Sequence, residues 1–238
     1  MASSKHVFEP FEALADLVDK EGLCRWTDVE PHFLKVVEQF DTEYSLGGHG
    51  TGWYQSKARY VNDLIVQLLQ NLSKKPFAFR CKRDSRLFAK IDMDICYPKV
   101  GTPLVGGEVK ILGTPPHPKN RGKARGAAAD LHKRIREVAL TSVDFKAAHA
   151  QPVPMSSLQQ WVDATMPGYF SFWAIRAAND SDLAKVRTTL ASLRTYCNGV
   201  AAVFYMPKRP IDQTTYEVRR LPDLSIDNVL REIAQRVA

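Results

Sequence analysis

Four side chains in the middle of the chain have the types and spacing to do chemistry on a phosphodiester: Asp92, Asp94, Glu108 and Lys110. In Arg86–Tyr97 the two-residue period of a strand sets Leu87, Ala89, Ile91, Met93 and Ile95 on one face and Asp92 and Asp94 on the other. In Leu104–Ile111, Val109 and Ile111 face one way and Glu108 and Lys110 the other. The turn-like stretch Pro98–Pro103 joins the two. An antiparallel hairpin with its midpoint at Gly101 sets Asp94 opposite Glu108 and Asp92 opposite Lys110. Carboxylates held together raise each other's pKa, and a divalent cation relieves the repulsion. Hard oxygen ligands suit Mg²⁺, with Mn²⁺ as a substitute. The lysine adds a charge that can orient a water and stabilise a crowded phosphate. Together these are the parts of metal-assisted hydrolysis. The plain alternative is a solvent-facing sheet edge with ordinary ion pairs.

The elements that must position these groups can be read from periodicity. Val61, Leu64, Ile65, Leu68 and Leu72 mark an amphipathic helix over Ser56–Leu72, stopped by Lys74-Lys75-Pro76. A short strand follows at Phe77–Cys81, then the two strands of the hairpin. A helix is expected over Ala127–Leu140, with Leu131, Ile135 and Val138 inward, and another near Ser156–Val162. Strands at Tyr169–Ala177 and Val200–Met206 flank a helix over Asp182–Tyr196. Tyr216–Arg220 reads as an edge strand and Ile226–Val237 as a closing helix. Upstream, Phe11, Leu14, Ala15 and Val18 mark one helix. A second, with Asp28 as cap, buries Phe33, Val36, Val37 and Phe40. Phe170, Phe172, Trp161 and Trp173 are expected in the core. The glycine loop Ser45–Gly52 is followed by Trp53-Tyr54, not by the Lys-Ser/Thr of a phosphate-binding loop, and reads as a flexible connector.

An acid on one strand followed by Glu-x-Lys in the middle of the next resembles the signature of the PD-(D/E)xK nuclease superfamily. Asp94 fits its first acid, Glu108 its second and Lys110 its lysine; Asp92 is an alternative first acid. Met93 stands where the family has proline. The order helix, hairpin, helix, strand, helix, strand over residues 55 to 206 is also similar to that family's core. The resemblance implies an α/β fold: a restriction-endonuclease-like core with a central mixed β-sheet flanked by helices. Residues 1–50 would be a helical N-terminal extension and 51–238 the nuclease-like domain. It further implies Mg²⁺-dependent cleavage of double-stranded DNA at specific sites, as type II restriction enzymes do. The metal would sit on Asp94 and Glu108, with Asp92 as a further ligand. Some relatives carry another acid on the preceding helix, for which Asp63 and Glu43 are candidates. A homodimer would follow from the need to cut both strands of a palindrome.

Charge distribution points the same way. The net charge is +7, and between Lys119 and Arg136 seven basic residues (Lys119, Arg121, Lys123, Arg125, Lys133, Arg134, Arg136) meet only Asp130, a local net charge of +6. Such a patch concentrates polyanions, nucleic acid above all. Lys119, Arg121, Lys123, Arg125, Lys133 and Arg136 are therefore the candidate DNA contacts, and proline and glycine in Gly113–Gly126 predict a mobile loop. His117 and His132, in or beside this region, are expected at the surface. The four cysteines are scattered, with no zinc-ligand spacing, and read as reduced thiols of a cytoplasmic protein. No run approaches the ~18 apolar residues of a membrane helix. Two other functions fit parts of the pattern. A polymerase-β-type nucleotidyltransferase would use Asp92, Asp94 and Glu108, although the Gly-Ser helix start usual before its Asp-x-Asp is missing. A non-catalytic DNA-binding module would keep the nuclease fold without turnover.

Overall fold

The computed structural model describes residues 7–47, 49–149, 157–164 and 166–238. They form a mixed six-stranded sheet between two layers of helices, with a separate two-stranded hairpin. Three helices come first: α1 (Glu9–Lys20), α2 (Trp26–Ser45) and α3 (Thr51–Ser73). Pro10 lies in the first turn of α1, where its missing N–H is not needed. Lys74 closes α3 in a left-handed conformation, and Pro76 prevents its continuation. Strands β1 (Ala78–Asp84), β2 (Lys90–Tyr97) and β3 (Val105–Leu112) follow as an antiparallel meander.

The chain then makes the hairpin β4 (Thr114–His117) and β5 (Lys123–Arg125) and the long helix α4 (Ala128–His149). After α5 (Leu158–Ala164), β6 (Gly168–Arg176) returns parallel to β3. Helix α6 (Asp180–Ala191) crosses to β7 (Gly199–Pro207), parallel to β6. Antiparallel β8 (Tyr216–Arg219) closes the far edge, and α7 (Ile226–Arg236) ends the chain. The strand order is β1-β2-β3-β6-β7-β8. Strands β6 and β7 are almost continuously apolar because helices cover both their faces.

One core layer joins α1, α2, α3 and α7 to the sheet through Phe11, Phe33, Phe40, Leu64, Leu68, Val109, Phe172 and Leu230. The other lies under α4 and α6, built on Leu131, Val138, Phe145, Tyr169, Trp173, Val186 and Leu190. Trp161, expected with the core aromatics, is only half-buried. Helix α4 runs nine residues past the expected end at Leu140, since Ser142 and Asp144, polar as they are, lie on its buried face. Ser156, the expected start of α5, lies outside the described residues. No helix among the described residues is long and apolar enough to cross a membrane.

Candidate active site

Strands β2 and β3 pair as Ile95↔Gly107, Cys96↔Gly106 and Tyr97↔Val105, the register that a midpoint at Gly101 requires. The ladder stops there. One step on, the Asp94 side chain takes over the role of the backbone, and its Oδ2 accepts the Val109 N–H at 3.0 Å. Beyond this point β2 stays with β1, while β3 continues against β6 with Glu108 beside Ser171 and Lys110 beside Trp173. The candidate groups therefore lie where two strands part, on the face covered by α4.

The parting has a local cause. Ile91, Met93 and Cys96 all pack in the α4 layer, whereas Ile95 packs in the α3 layer. An uninterrupted strand would keep Ile91, Met93 and Ile95 on one face, as the alternation predicts. The phase of β2 instead changes between Met93 and Ile95, at Asp94. Strand β1 changes with it: the pairs Phe79↔Ile95 and Cys81↔Met93 bracket Arg80 opposite Asp94, and Arg80 has φ 53°. Past this corner Arg83 reaches back to Cys96 Sγ at 2.9 Å and to the carbonyls of Pro98 and Gly101 in the β2–β3 turn.

Glu108 is 5% exposed, and its Oε2 lies 2.5 Å from Lys110 Nζ. That contact is an ion pair without hydrogen-bond alignment, and the same buried oxygen takes no hydrogen bond from any described donor. The Tyr169 hydroxyl, also buried, lies against the Glu108 carboxylate and makes no aligned hydrogen bond to any described residue. Burial pushes the Tyr169 phenol well above its ordinary pKa, and the charge of Glu108 adds to the effect. Cys197 is pushed up to about 12, by burial first and by Glu108 in part. Burial also raises the Asp94 carboxyl; the Val109 N–H, Lys110 and Arg80 offset this, and Glu108 adds to it. Two carboxylates and an ammonium thus share one electrostatic environment.

Gly106, two residues before Glu108, has a steric reason to lack a side chain. A Cβ there would meet Phe145 of α4 at 2.6 Å. The close approach lets Phe145 seal the lower end of the site against Tyr169, their rings 5.9 Å apart.

The remaining candidates are distributed differently. Asp92 is exposed and faces Lys82 of β1 in the ladder, because β2 has already turned away from β3. The expected Asp92–Lys110 opposition does not form. Glu43 lies 3.6 Å from His49. Asp63 lines a cleft of about 590 Å³ with Ala15, Arg59, Gln67, Phe79 and Arg80, on the α3 side of β1.

The expected mobile loop at Gly113–Gly126 is a folded hairpin. Its anchor is His117, which is buried and not at the surface as expected. His117 Nδ1 accepts the Lys119 N–H at 3.1 Å, so Nε2 carries the proton and donates to the His49 carbonyl at 2.9 Å. Lys119, Arg121 and Lys123 project from this frame, all exposed; Lys133 and Arg136 are exposed on α4, as is His132. Arg125 is exposed but lies 2.6 Å from Asp130. Sequence reading missed Arg80 and Tyr169. A basic residue on an edge strand carries no signal, and a tyrosine in an apolar run reads as core.

No family model, curated protein or solved structure matches this chain.

The donor set fits a hard divalent cation. Among the described residues, Glu108 offers a buried oxygen that accepts no aligned hydrogen bond, and Asp94 accepts the Val109 N–H with Oδ2. No three His, Cys, Asp or Glu side chains converge among the described residues. An ion held here would rest on two carboxylates and complete its shell with water and substrate oxygens, the usual manner of Mg²⁺.

Proposed function

We propose that this chain is a Mg²⁺-dependent endonuclease that hydrolyses double-stranded DNA, built on a PD-(D/E)xK, restriction-endonuclease-like core. The observation that carries the reading is the Asp94–Val109 hydrogen bond, which ties the first acid to the strand bearing Glu108 and Lys110. The topology supports it: a helix, an antiparallel three-stranded meander, a helix, and a strand parallel to the third. Asp94 and Glu108 hold the ion. When bound, Mg²⁺ supplies Lewis-acid polarisation of the scissile phosphate.

The other steps belong to the chain's own groups. Lys110, ion-paired to Glu108 and only partly exposed, holds its ammonium where a water and a non-bridging phosphate oxygen can both reach it. Phe145 and Tyr169 exclude bulk solvent from beneath, which strengthens every charge interaction above them. Lys119, Arg121 and Lys123 on the β4–β5 frame, with Lys133 and Arg136 on α4, neutralise phosphates along the duplex. The placement of Asp92 disfavours a nucleotidyltransferase, which needs it beside Asp94 and Glu108.

The test is digestion of a mixed panel of plasmid, phage and modified DNA with purified protein, in Mg²⁺, Mn²⁺ and chelator. Discrete bands that vanish with chelator support a sequence-specific enzyme. A metal-dependent smear supports a non-specific nuclease. Tight DNA binding with no cleavage in either metal refutes catalysis and leaves a binding module.

A further inference from the structure

Arg80 is an anomaly that neither the core nor the ion pairs explain. It is an arginine with φ 53° inside a strand, a backbone conformation in which glycine would be free of strain and any Cβ is crowded against the backbone carbonyl. The corner in β1 needs a left-handed residue there, since Cys81 and Arg83 turn toward the α4 layer only if the strand changes phase. Glycine would satisfy that need. What glycine would not supply is the guanidinium. That group is exposed, and no carboxylate or carbonyl among the described residues holds it in an ion pair or hydrogen bond. The register nevertheless sets it across from Asp94, whose side chain bridges the two parting strands. It also lines the open cleft between β1 and α3, on the other side of the sheet edge. A strained backbone position that persists where a cheaper residue would do is a recurrent mark of functional sites.

We propose that Arg80 is a phosphate-binding residue, which grips the backbone of the scissile strand beside the Asp94–Glu108–Lys110 centre. This rests on the nuclease reading for its substrate. The planar fork of a guanidinium suits two phosphate oxygens at once. The position at the sheet edge, outside the two carboxylates, fits a phosphate next to the one that is cut. The strand held there is oriented before Lys110 and the metal-binding acids act on it.

The experiment uses the full chain with Arg80→Gly and Arg80→Lys, and a duplex that the wild type binds, with Ca²⁺ as a metal that holds the complex. Three quantities are read: thermal midpoint, the slope of log affinity against log salt, and single-turnover cleavage in Mg²⁺. Arg80→Gly relieves the backbone, so its midpoint equals or exceeds that of the wild type. Its affinity at 0.1 M salt falls roughly tenfold and its salt slope falls by about one unit, as the loss of one phosphate contact requires. Single-turnover cleavage falls at least as far, and Arg80→Lys restores the slope but only part of the cleavage. The proposal is overturned if Arg80→Gly keeps the wild-type slope and rate, or if it melts well below the wild type, because Arg80 would then be a structural residue. The two readings fail separately. A wild type that cuts nothing while Arg80→Gly still loses one unit of slope removes the nuclease and leaves the phosphate contact. A wild type that cuts while the slope is unchanged does the reverse.

Discussion

Replacing Asp41 with alanine removes one half of a fully buried ion pair and tests how the helical layer is fastened to the sheet. Asp41 and Lys57 are both inaccessible to solvent, with Nζ–Oδ1 at 2.5 Å. Oδ2 of Asp41 accepts the Tyr216 hydroxyl at 2.7 Å, and Lys57 also donates to Tyr54 and Tyr205. Without Asp41 the ammonium keeps phenol oxygens and the faces of the Tyr54, Phe40 and Tyr205 rings, 4.6, 5.4 and 5.6 Å from their centroids. Breaking such a pair costs about 3–5 kcal/mol, a large part of the ~5–15 kcal/mol available to a domain. The loss depends on pH with a definite sign. Burial already lowers the Lys57 pKa, with Asp41 opposing the shift, so the variant lowers it further. Between that depressed value and the unfolded value near 10.4, the unfolded chain binds more protons than the native one, so stability rises with pH. Urea midpoints at pH 7 and pH 9.5 measure it. The deficit is expected to be largest at pH 7 and to narrow at pH 9.5. Asp41→Ala with Lys57→Met should recover most of it, since an apolar pair replaces the stranded charge. The reasoning fails if Asp41→Ala stays within ~1 kcal/mol of wild type at pH 7, or if the deficit does not shrink in alkali. The network also reaches the β4–β5 hairpin, because Tyr54 donates to the carbonyl of Gly113, the residue just before β4, at 2.9 Å.

Further predictions concern the site and its surroundings. Lys110→Ala and Glu108→Gln should each abolish most single-turnover cleavage while leaving duplex affinity within a few-fold, as measured by anisotropy in Ca²⁺. The triple variant Lys119→Ala/Arg121→Ala/Lys123→Ala should lower the salt slope of binding by roughly three units. Arg125→Ala should lower it by less than one, because Asp130 already serves as its counterion; equal effects from Arg125 and its neighbours would count against this. Gly106→Ala should destabilise by about 1–3 kcal/mol in urea titration, since the new methyl overlaps the Phe145 ring, and Phe145→Leu in the same chain should relieve part of the loss. Sedimentation of the protein on a palindromic duplex should give two chains per DNA; one chain, both free and bound, would remove the dimer.

Much of the site's framework was legible because it is local. The hairpin joining Asp94 to Glu108 depends on a six-residue turn and two alternating patterns, and its register was fixed by counting. The helices at Val61–Leu72 and Leu131–Val138 announced themselves by period. What stayed hidden depends on the third dimension. The change of phase at Asp94 needs a compensating change in β1, and an ordinary Phe-Arg-Cys sequence gives no sign that Arg80 is left-handed. His117 looked like a surface residue of a basic loop because its ring nitrogens are satisfied by Lys119 and His49, one of them far away in the chain. Nothing in the sequence marks Lys57 and Asp41 as buried, because the tyrosines that meet them, Tyr205 and Tyr216, come from the distant end of the chain.

The parallel pairing of β3 with β6 has a consequence for how the molecule is made. β6 begins at Gly168, more than fifty residues after β3 ends at Leu112. At synthesis rates of ~5–20 residues per second, that separation is on the order of 3–11 s. During this interval β1, β2 and β3 can already pair, yet the strand bearing Glu108 and Lys110 presents an open edge with no neighbour. Tyr169, Ser171 and Trp173, which line that edge in the finished fold, have not yet been made. Ribosome-bound chains halted shortly after Leu112 should therefore aggregate or recruit chaperones more readily than chains halted after β7. A growing chain would also carry its acids for several seconds before it could form a sealed site.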